Sequence, residues 1–69
     1  MYIINEYQTN GNETAIVTPA QEADWDRAQS KCYEKCMYAA ISQVETHTVI
    51  LTDHEGIEYE KKIFRHNAG

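Results

Sequence analysis

The chain has 69 residues and a mass of 8.0 kDa, room for one small domain (1–69). Eleven acidic and six basic side chains leave a net charge of −5, and 25% charged residues is ordinary for a folded chain. Such a surface as a whole repels nucleic-acid backbones, so direct DNA or RNA binding is not expected. A chain this short buries only about 60% of the surface its unfolded form exposes, so self-association is a common remedy for its thin core.

No apolar run approaches the ~20 residues of a membrane span. The opening Met1-Tyr2-Ile3-Ile4-Asn5-Glu6 has neither the basic nor the apolar region of a signal peptide. A soluble, intracellular protein is expected.

Tyr2 to Thr9 is rich in β formers and reads as a strand. Asn10-Gly11 is a strong hairpin signal, because both residues tolerate positive φ. Glu13 to Thr18 reads as the return strand, ended by Pro19, which has no N–H for a ladder. With Asn10-Gly11 as the turn, Ile4 pairs with Val17 and Glu6 with Ala15. Ile3, Tyr7 and Ile16 then share the opposite face. From Ala20 to about Ser42 there is no Gly or Pro, and the segment reads as a helix with Glu22, Asp24 and Asp26 near its start. Trp25, Ala28, Cys32, Cys36 and Ala39 recur at spacings of three and four and form its core stripe. Arg27, Lys31, Glu34 and Lys35 form its solvated face.

Glu45 to Thr52 is a second alternating strand, with His47, Val49 and Leu51 on one face. Asp53-His54-Glu55-Gly56 predicts a type I turn closed by a left-handed glycine, a three-residue hairpin in which Asp53 pairs with Ile57. The register that follows sets Leu51 opposite Tyr59, Val49 opposite Lys61 and His47 opposite Ile63. On the far face Ile50 meets Glu60, Thr48 meets Lys62 and Thr46 meets Phe64. Asn67-Ala68-Gly69 is expected to be a frayed tail.

The order is ββαββ, which predicts an α+β fold: a four-stranded antiparallel sheet of two hairpins with one helix on one face. Ile4, Val17, Val49, Leu51, Tyr59 and Ile63 would face the helix. Ile3, Tyr7, Ile16, Ile50 and Phe64 would remain on the open face, an apolar patch that predicts a homo-oligomer, dimer or higher.

Two cysteines do not make a disulfide framework, and Cys32 and Cys36 four apart on a helix are poorly placed to bond each other. Free thiols are expected. With His47, His54 or His66 they lack the paired short spacings of a zinc site, and they read as core residues. A thiolate nucleophile with His47 as base is the one catalytic pairing available, and thiols facing a core are inert. The chain therefore reads as a non-enzyme with no cofactor and no metal.

Five tyrosines, one tryptophan and a cationic cluster on the last strand point to binding instead. Aromatic rings stack on nucleobases, and a few cations clamp phosphates without making the whole surface basic. Tyr7, Trp25 and Tyr59 are the candidates for stacking. Lys62, Arg65 and His66 are the candidates for phosphate, in a pocket completed by a second copy.

Tyr2-Ile3-Ile4-Asn5-Glu6-Tyr7-Gln8-Thr9-Asn10, Thr14-Ala15-Ile16-Val17-Thr18-Pro19, Ala39-Ala40-Ile41-Ser42 and His47-Thr48-Val49-Ile50-Leu51-Thr52-Asp53 with Gly56 extend over nearly the whole chain. Together they resemble small proteins encoded by phages and prophages of gut Firmicutes. The shared motifs are structural, so the resemblance carries over no functional residues. It implies a phage accessory protein made in the bacterial host cytoplasm. The first expectation is an anti-defence protein that sequesters a small nucleotide immune signal. The alternatives are a virion or assembly accessory protein and a direct inhibitor of a host defence nuclease.

Overall fold

The computed structural model describes residues 1–66; the tail Asn67-Ala68-Gly69 lies outside the described residues. The elements are β1 (Tyr2–Asn10), β2 (Glu13–Glu22), α1 (Trp25–Ile41), β3 (Thr46–Asp53) and β4 (Glu58–Arg65). They form one antiparallel sheet in the order β2-β1-β3-β4 with the helix on one face, the expected α+β arrangement. The first strand is central. The chain therefore leaves edge strand β2, crosses over β1 as α1, and returns as β3.

The first turn is one residue later than its sequence signal. Asn10 pairs with Glu13, so Gly11-Asn12 is the loop. Gly11 has φ +59°, the demand placed on the first central residue of a type II′ turn. Asn10 is used elsewhere: its Oδ1 accepts the Glu45 N–H at 3.0 Å, while the Gly11 N–H donates to Glu45 Oε2 at 3.2 Å. The hairpin tip is thus tied to the entry of β3. Glu6 pairs with Val17 and Ile4 with Ala20, not Ala15 and Val17 as expected.

Pro19 does not end β2, and Ala20 to Glu22 belong to the strand rather than the helix. The proline falls where the ladder shifts register, between Ile4–Ala20 and Glu6–Val17, on an edge strand. A bulge on an edge is where a missing N–H is tolerated. The helix starts instead at Asp24, whose side chain accepts the Arg27 N–H at 3.0 Å and whose carbonyl accepts the Ala28 N–H at 2.9 Å.

The second hairpin has the expected turn. Asp53 N–H donates to the Ile57 carbonyl at 3.0 Å, and Gly56 has φ +88°. Asp53 Oδ1 also accepts the Glu55 and Ile57 N–H groups at 2.8 and 3.0 Å. Beyond the turn a second irregularity intervenes. Thr52 pairs with Glu58 but Leu51 with Glu60, so Tyr59 is an extra residue. It is held by its hydroxyl, which donates to Asp53 Oδ2 at 3.0 Å, and by packing on Tyr2 and Trp25.

One extra residue exchanges the faces of everything that follows. His47 stands opposite Phe64, Thr48 opposite Ile63 and Val49 opposite Lys62, each one residue away from the expected partner. Phe64 therefore packs against the core on the helix side, and Ile63 is on the open face, 39% exposed. The expected places of these two residues are reversed.

Ile4, Val49 and Leu51 meet Ala28, Cys32 and Ala39 of the helix, all buried. Small helix residues let α1 approach the sheet closely. Tyr2, Ala20, Cys36 and Phe64 close the margins of this core. Each fully buried Ile, Val or Leu contributes on the order of 1.5–3 kcal/mol, so three of them make a thin core.

The Tyr59 bulge has a measurable consequence. Phe64→Ala is expected to cost about 3 kcal/mol of protomer stability, and Ile63→Ala about 0.5 kcal/mol or less. Urea unfolding at low protein concentration reads both. Equal costs would contradict the register.

Candidate functional site

The six residues expected to bind a ligand do not converge within one protomer. Trp25, at the first helical position, and Tyr59, at the bulge, stand together with ring centroids 5.3 Å apart. Tyr2, which the sequence reading did not single out as a site residue, completes their cluster at 5.1 Å from Trp25 and 5.9 Å from Tyr59. Lys62 lies on the same side of the sheet, further along β4. Tyr7 and Arg65 are on the other face, where Tyr7 pairs with Thr48 and Arg65 with Thr46. His66 is committed to structure. Its Nε2 donates to the Ala39 carbonyl at 2.8 Å and its backbone N–H to the Glu45 carbonyl at 2.7 Å, which joins the end of β4 to the helix C-terminus.

The open face of the sheet is a site in its own right. Ile16, Tyr7, Thr48 and Ile63 form one row across all four strands. Asn5, Ile50 and Lys61 form the next row, and Gln21, Ile3, Thr52 and Glu58 the one after it. Ile3, Tyr7, Ile16 and Ile50 are thus on this face as expected, and Ile63 stands in place of Phe64. The face also holds Lys61 and Arg65, both exposed, beside Ile63 on the same strand.

A second constellation was missed. His47 is 4% exposed beneath the helix C-terminus. Its Nε2 donates to Glu6 Oε2, and its Nδ1 meets the Ser42 hydroxyl at 3.0 Å. Glu6 Oε1 accepts from Lys35 Nζ at 3.2 Å, and Oε2 also accepts from Gln8 Nε2 at 3.3 Å. Lys35, expected on the solvated face, reaches down from the helix flank to this buried pair. Lys31 likewise turns to β2, with Nζ 2.8 Å from Glu22 Oε2. Burial by itself pushes the Glu6 carboxyl up. The hydrogen bonds from His47, Gln8 and Lys35, with the Lys35 charge, outweigh it and hold the carboxyl below its ordinary value. The signal was present in the alternation: His47 shares the face of Val49 and Leu51, and a histidine there needs a buried acceptor.

This network keeps His47 away from thiol chemistry. Both cysteines are free, and burial, followed by the neighbouring Cys36 and Glu60 charges, pushes the Cys32 thiol up to about 11. Burial raises Cys36 as well. Among the described residues no group of three or more His, Cys, Asp or Glu side chains is placed to hold a metal ion. Among the described residues no helix is long and apolar enough to cross a membrane.

No protein-family model, curated protein or solved structure matches the chain.

The Glu6 carboxylate gives a pH dependence of definite sign. Its value in the folded chain lies below that in the unfolded chain, so its contribution is complete above about pH 4.3 and is lost as pH falls through the folded value. Thermal unfolding from neutral pH to pH 2–3 is expected to show a steeper acid loss in wild type than in Glu6→Gln. At neutral pH Glu6→Gln is expected to cost roughly 1–3 kcal/mol. Parallel pH profiles would exclude Glu6 as the source.

Proposed function

We propose that the chain is a non-catalytic binding protein that acts as a homo-oligomer, two copies meeting through the uncovered face of the sheet. The observation that carries this reading is the apolar row Ile16, Tyr7 and Ile63, with Ile3 and Ile50 beside it, on a face that no element among the described residues covers. Four strands ~4.8 Å apart and eight residues rising ~3.4 Å each make a face of roughly 500 Å². Two such faces together bury roughly 1,000 Å², the threshold of a specific interface. The charged side chains on this face (Glu58, Lys61 and Arg65) all belong to β4, so its interior holds no charge to dehydrate, only the Asn5 amide and threonine hydroxyls among its apolar groups.

The ligand belongs at the seam. Tyr7, Lys61 and Arg65 share this face, and two copies bring two sets of ring and cations together. That set suits a small anionic nucleotide, with Tyr7 against a base and the cations on phosphate. Trp25, Tyr59 and Lys62 lie on the far side of the sheet and take no part, and His66 is occupied by the helix end. With the resemblance to phage proteins, the biological reading is an anti-defence protein that sequesters a nucleotide immune signal in the host cytoplasm. The raised thiols and the engagement of His47 with Glu6 support binding rather than catalysis.

Light scattering near neutral pH is expected to give a native mass of at least two chains, and Ile50→Asp to give one. Cyclic di- and oligonucleotides are then screened by thermal shift. A ligand at about a hundred times its dissociation constant contributes ~2.7 kcal/mol, an increase on the order of 10 °C for a domain this small. Tyr7→Ala and Arg65→Ala are expected to abolish the shift and Lys62→Ala to leave it. A monomer at high concentration overturns the oligomer. An oligomer that answers to no nucleotide but co-purifies with a tail or capsid protein overturns the ligand and favours an assembly role.

A further inference from the structure

A different binding site lies on the helix side of the sheet, between α1 and β4. The helix crosses nearer to β1 and β3 and leaves a narrow cleft of about 50 Å³ along the edge strand. Trp25, Tyr33 and Tyr59 line it together with Leu51 and Cys32, and Gln29 and Glu60 contribute an amide and a carboxylate. The Trp25 and Tyr59 rings stand at 70° to each other and form a corner. All three rings retain solvent exposure, 36% for Trp25, 56% for Tyr33 and 44% for Tyr59, so the walls are not sealed by one another.

Glu60 is the informative residue. The residue is half-buried, its side chain makes no hydrogen bond and no ion pair among the described residues, and its carboxylate oxygens are open to solvent. The other half-buried carboxylates behave differently: Glu6 and Glu22 each hold a lysine, and Asp53 holds its own turn. Lys62 follows Glu60 on the same face of β4 but does not line the cleft. An unpaired carboxylate beside aromatic walls is complementary to a positive charge on an apolar stem. The ring quadrupoles attract the charge, the carboxylate accepts its N–H groups, and Leu51 receives the stem.

From this arrangement we infer that the α1–β4 cleft binds an organic ammonium group, either a free alkylamine or the side-chain amine of a lysine on a partner. The site is on the opposite side of the sheet from the proposed oligomer face and has the opposite charge preference. Its occupancy does not depend on self-association.

Trp25 is the only tryptophan, so its fluorescence reports this cleft directly. The probes are n-butylammonium, neutral n-butanol, and a capped Gly-Lys-Gly peptide beside its Gly-norleucine-Gly counterpart, all at constant ionic strength. The expected result is a saturable change in Trp25 emission with the amine and with the lysine peptide, absent with the two neutral probes. Glu60→Gln is expected to weaken both by at least about fivefold, with unchanged circular dichroism. Lys62→Gln is expected to leave binding intact or tighten it, since it removes the nearest competing cation. A lysine peptide much tighter than the amine assigns the site to a partner's side chain; equal affinities assign it to a free amine. No saturable response, an equal response to butanol, or unchanged affinity in Glu60→Gln overturns the proposal. The open-face variant Ile50→Asp keeps the two readings separate, because it is expected to dissociate the oligomer and still bind the amine.

Discussion

A helix is about 10 Å across with its side chains, and a sheet of four strands is roughly twice that width. One helix cannot roof such a sheet. In this protein α1 lies closest to β1 and β3, and its small residues Ala28, Cys32 and Ala39 bring it close to them. What remains uncovered follows from that choice: a groove toward β2, a cleft toward β4, and the whole opposite face. The two flanks are treated differently. On the β2 side, Lys31 extends from the helix to Glu22 of β2 and bridges the gap with charge, while Lys35 on the same flank reaches Glu6 of β1. Toward β4 the helix presents Gln29 and Tyr33, and no ion pair spans the gap among the described residues. The open groove and the aromatic cleft are thus two outcomes of one width mismatch.

The thin apolar core also explains why a charged network extends into it. Beneath the last turn of the helix the sheet offers Glu6, Gln8 and His47 rather than more aliphatic residues. Desolvating a carboxylate and an imidazole is costly, and the arrangement stands because every polar atom is matched. Glu6 receives three donors, His47 uses both ring nitrogens, and no buried side-chain nitrogen or oxygen among the described residues lacks a partner. Ser42 and His66 extend the same network to the helix C-terminus through the Ala39 carbonyl. The helix end, β1, β3 and the last residue of the second hairpin are therefore fixed to one another by directional bonds. Apolar contact alone would hold them with less specificity.

The order of elements, the open sheet face and the Asp53 turn were legible because each rests on local pattern: alternation, a three-and-four stripe, and a glycine that must be left-handed. The departures share a cause of another kind. Pro19 lies in a bulge, Tyr59 is an inserted residue, and Asn10 leaves its turn to hold Glu45. Each is settled by a partner distant in sequence. Tyr59 is held by Tyr2 at the other end of the chain and by Trp25 on the helix, and nothing within Glu58 to Arg65 marks the strand as shifted. The same holds for the site. Trp25 and Tyr59 were identified as aromatic residues worth attention and Tyr7 as a residue of the open face, but the conjunction with Tyr2 comes from the pairing of distant strands, and Arg65 is carried to the face of Tyr7 by that one inserted residue.

The bulge therefore decides more than packing. Along β4 the charges alternate closely, Glu60, Lys61, Lys62 and Arg65, and a strand sends alternate residues to opposite faces. With Tyr59 inserted, Glu60 and Lys62 turn to the helix side, while Lys61, Ile63 and Arg65 turn to the open face. Without it Glu60 would join the apolar open face opposite Ile50, and Lys61 would take its place beside the aromatic corner. The open face would then carry a second carboxylate, beside Ile50 and inward of Glu58, and the cleft would carry an amine where its walls favour one from outside. A chain with a net charge of −5 thus presents a sheet face whose β4 charges are mostly positive and a cleft whose unpaired charge is negative. The two surfaces acquire opposite electrostatic character from a single residue, and this residue is itself anchored by the Asp53 carboxylate and by the two rings it packs against.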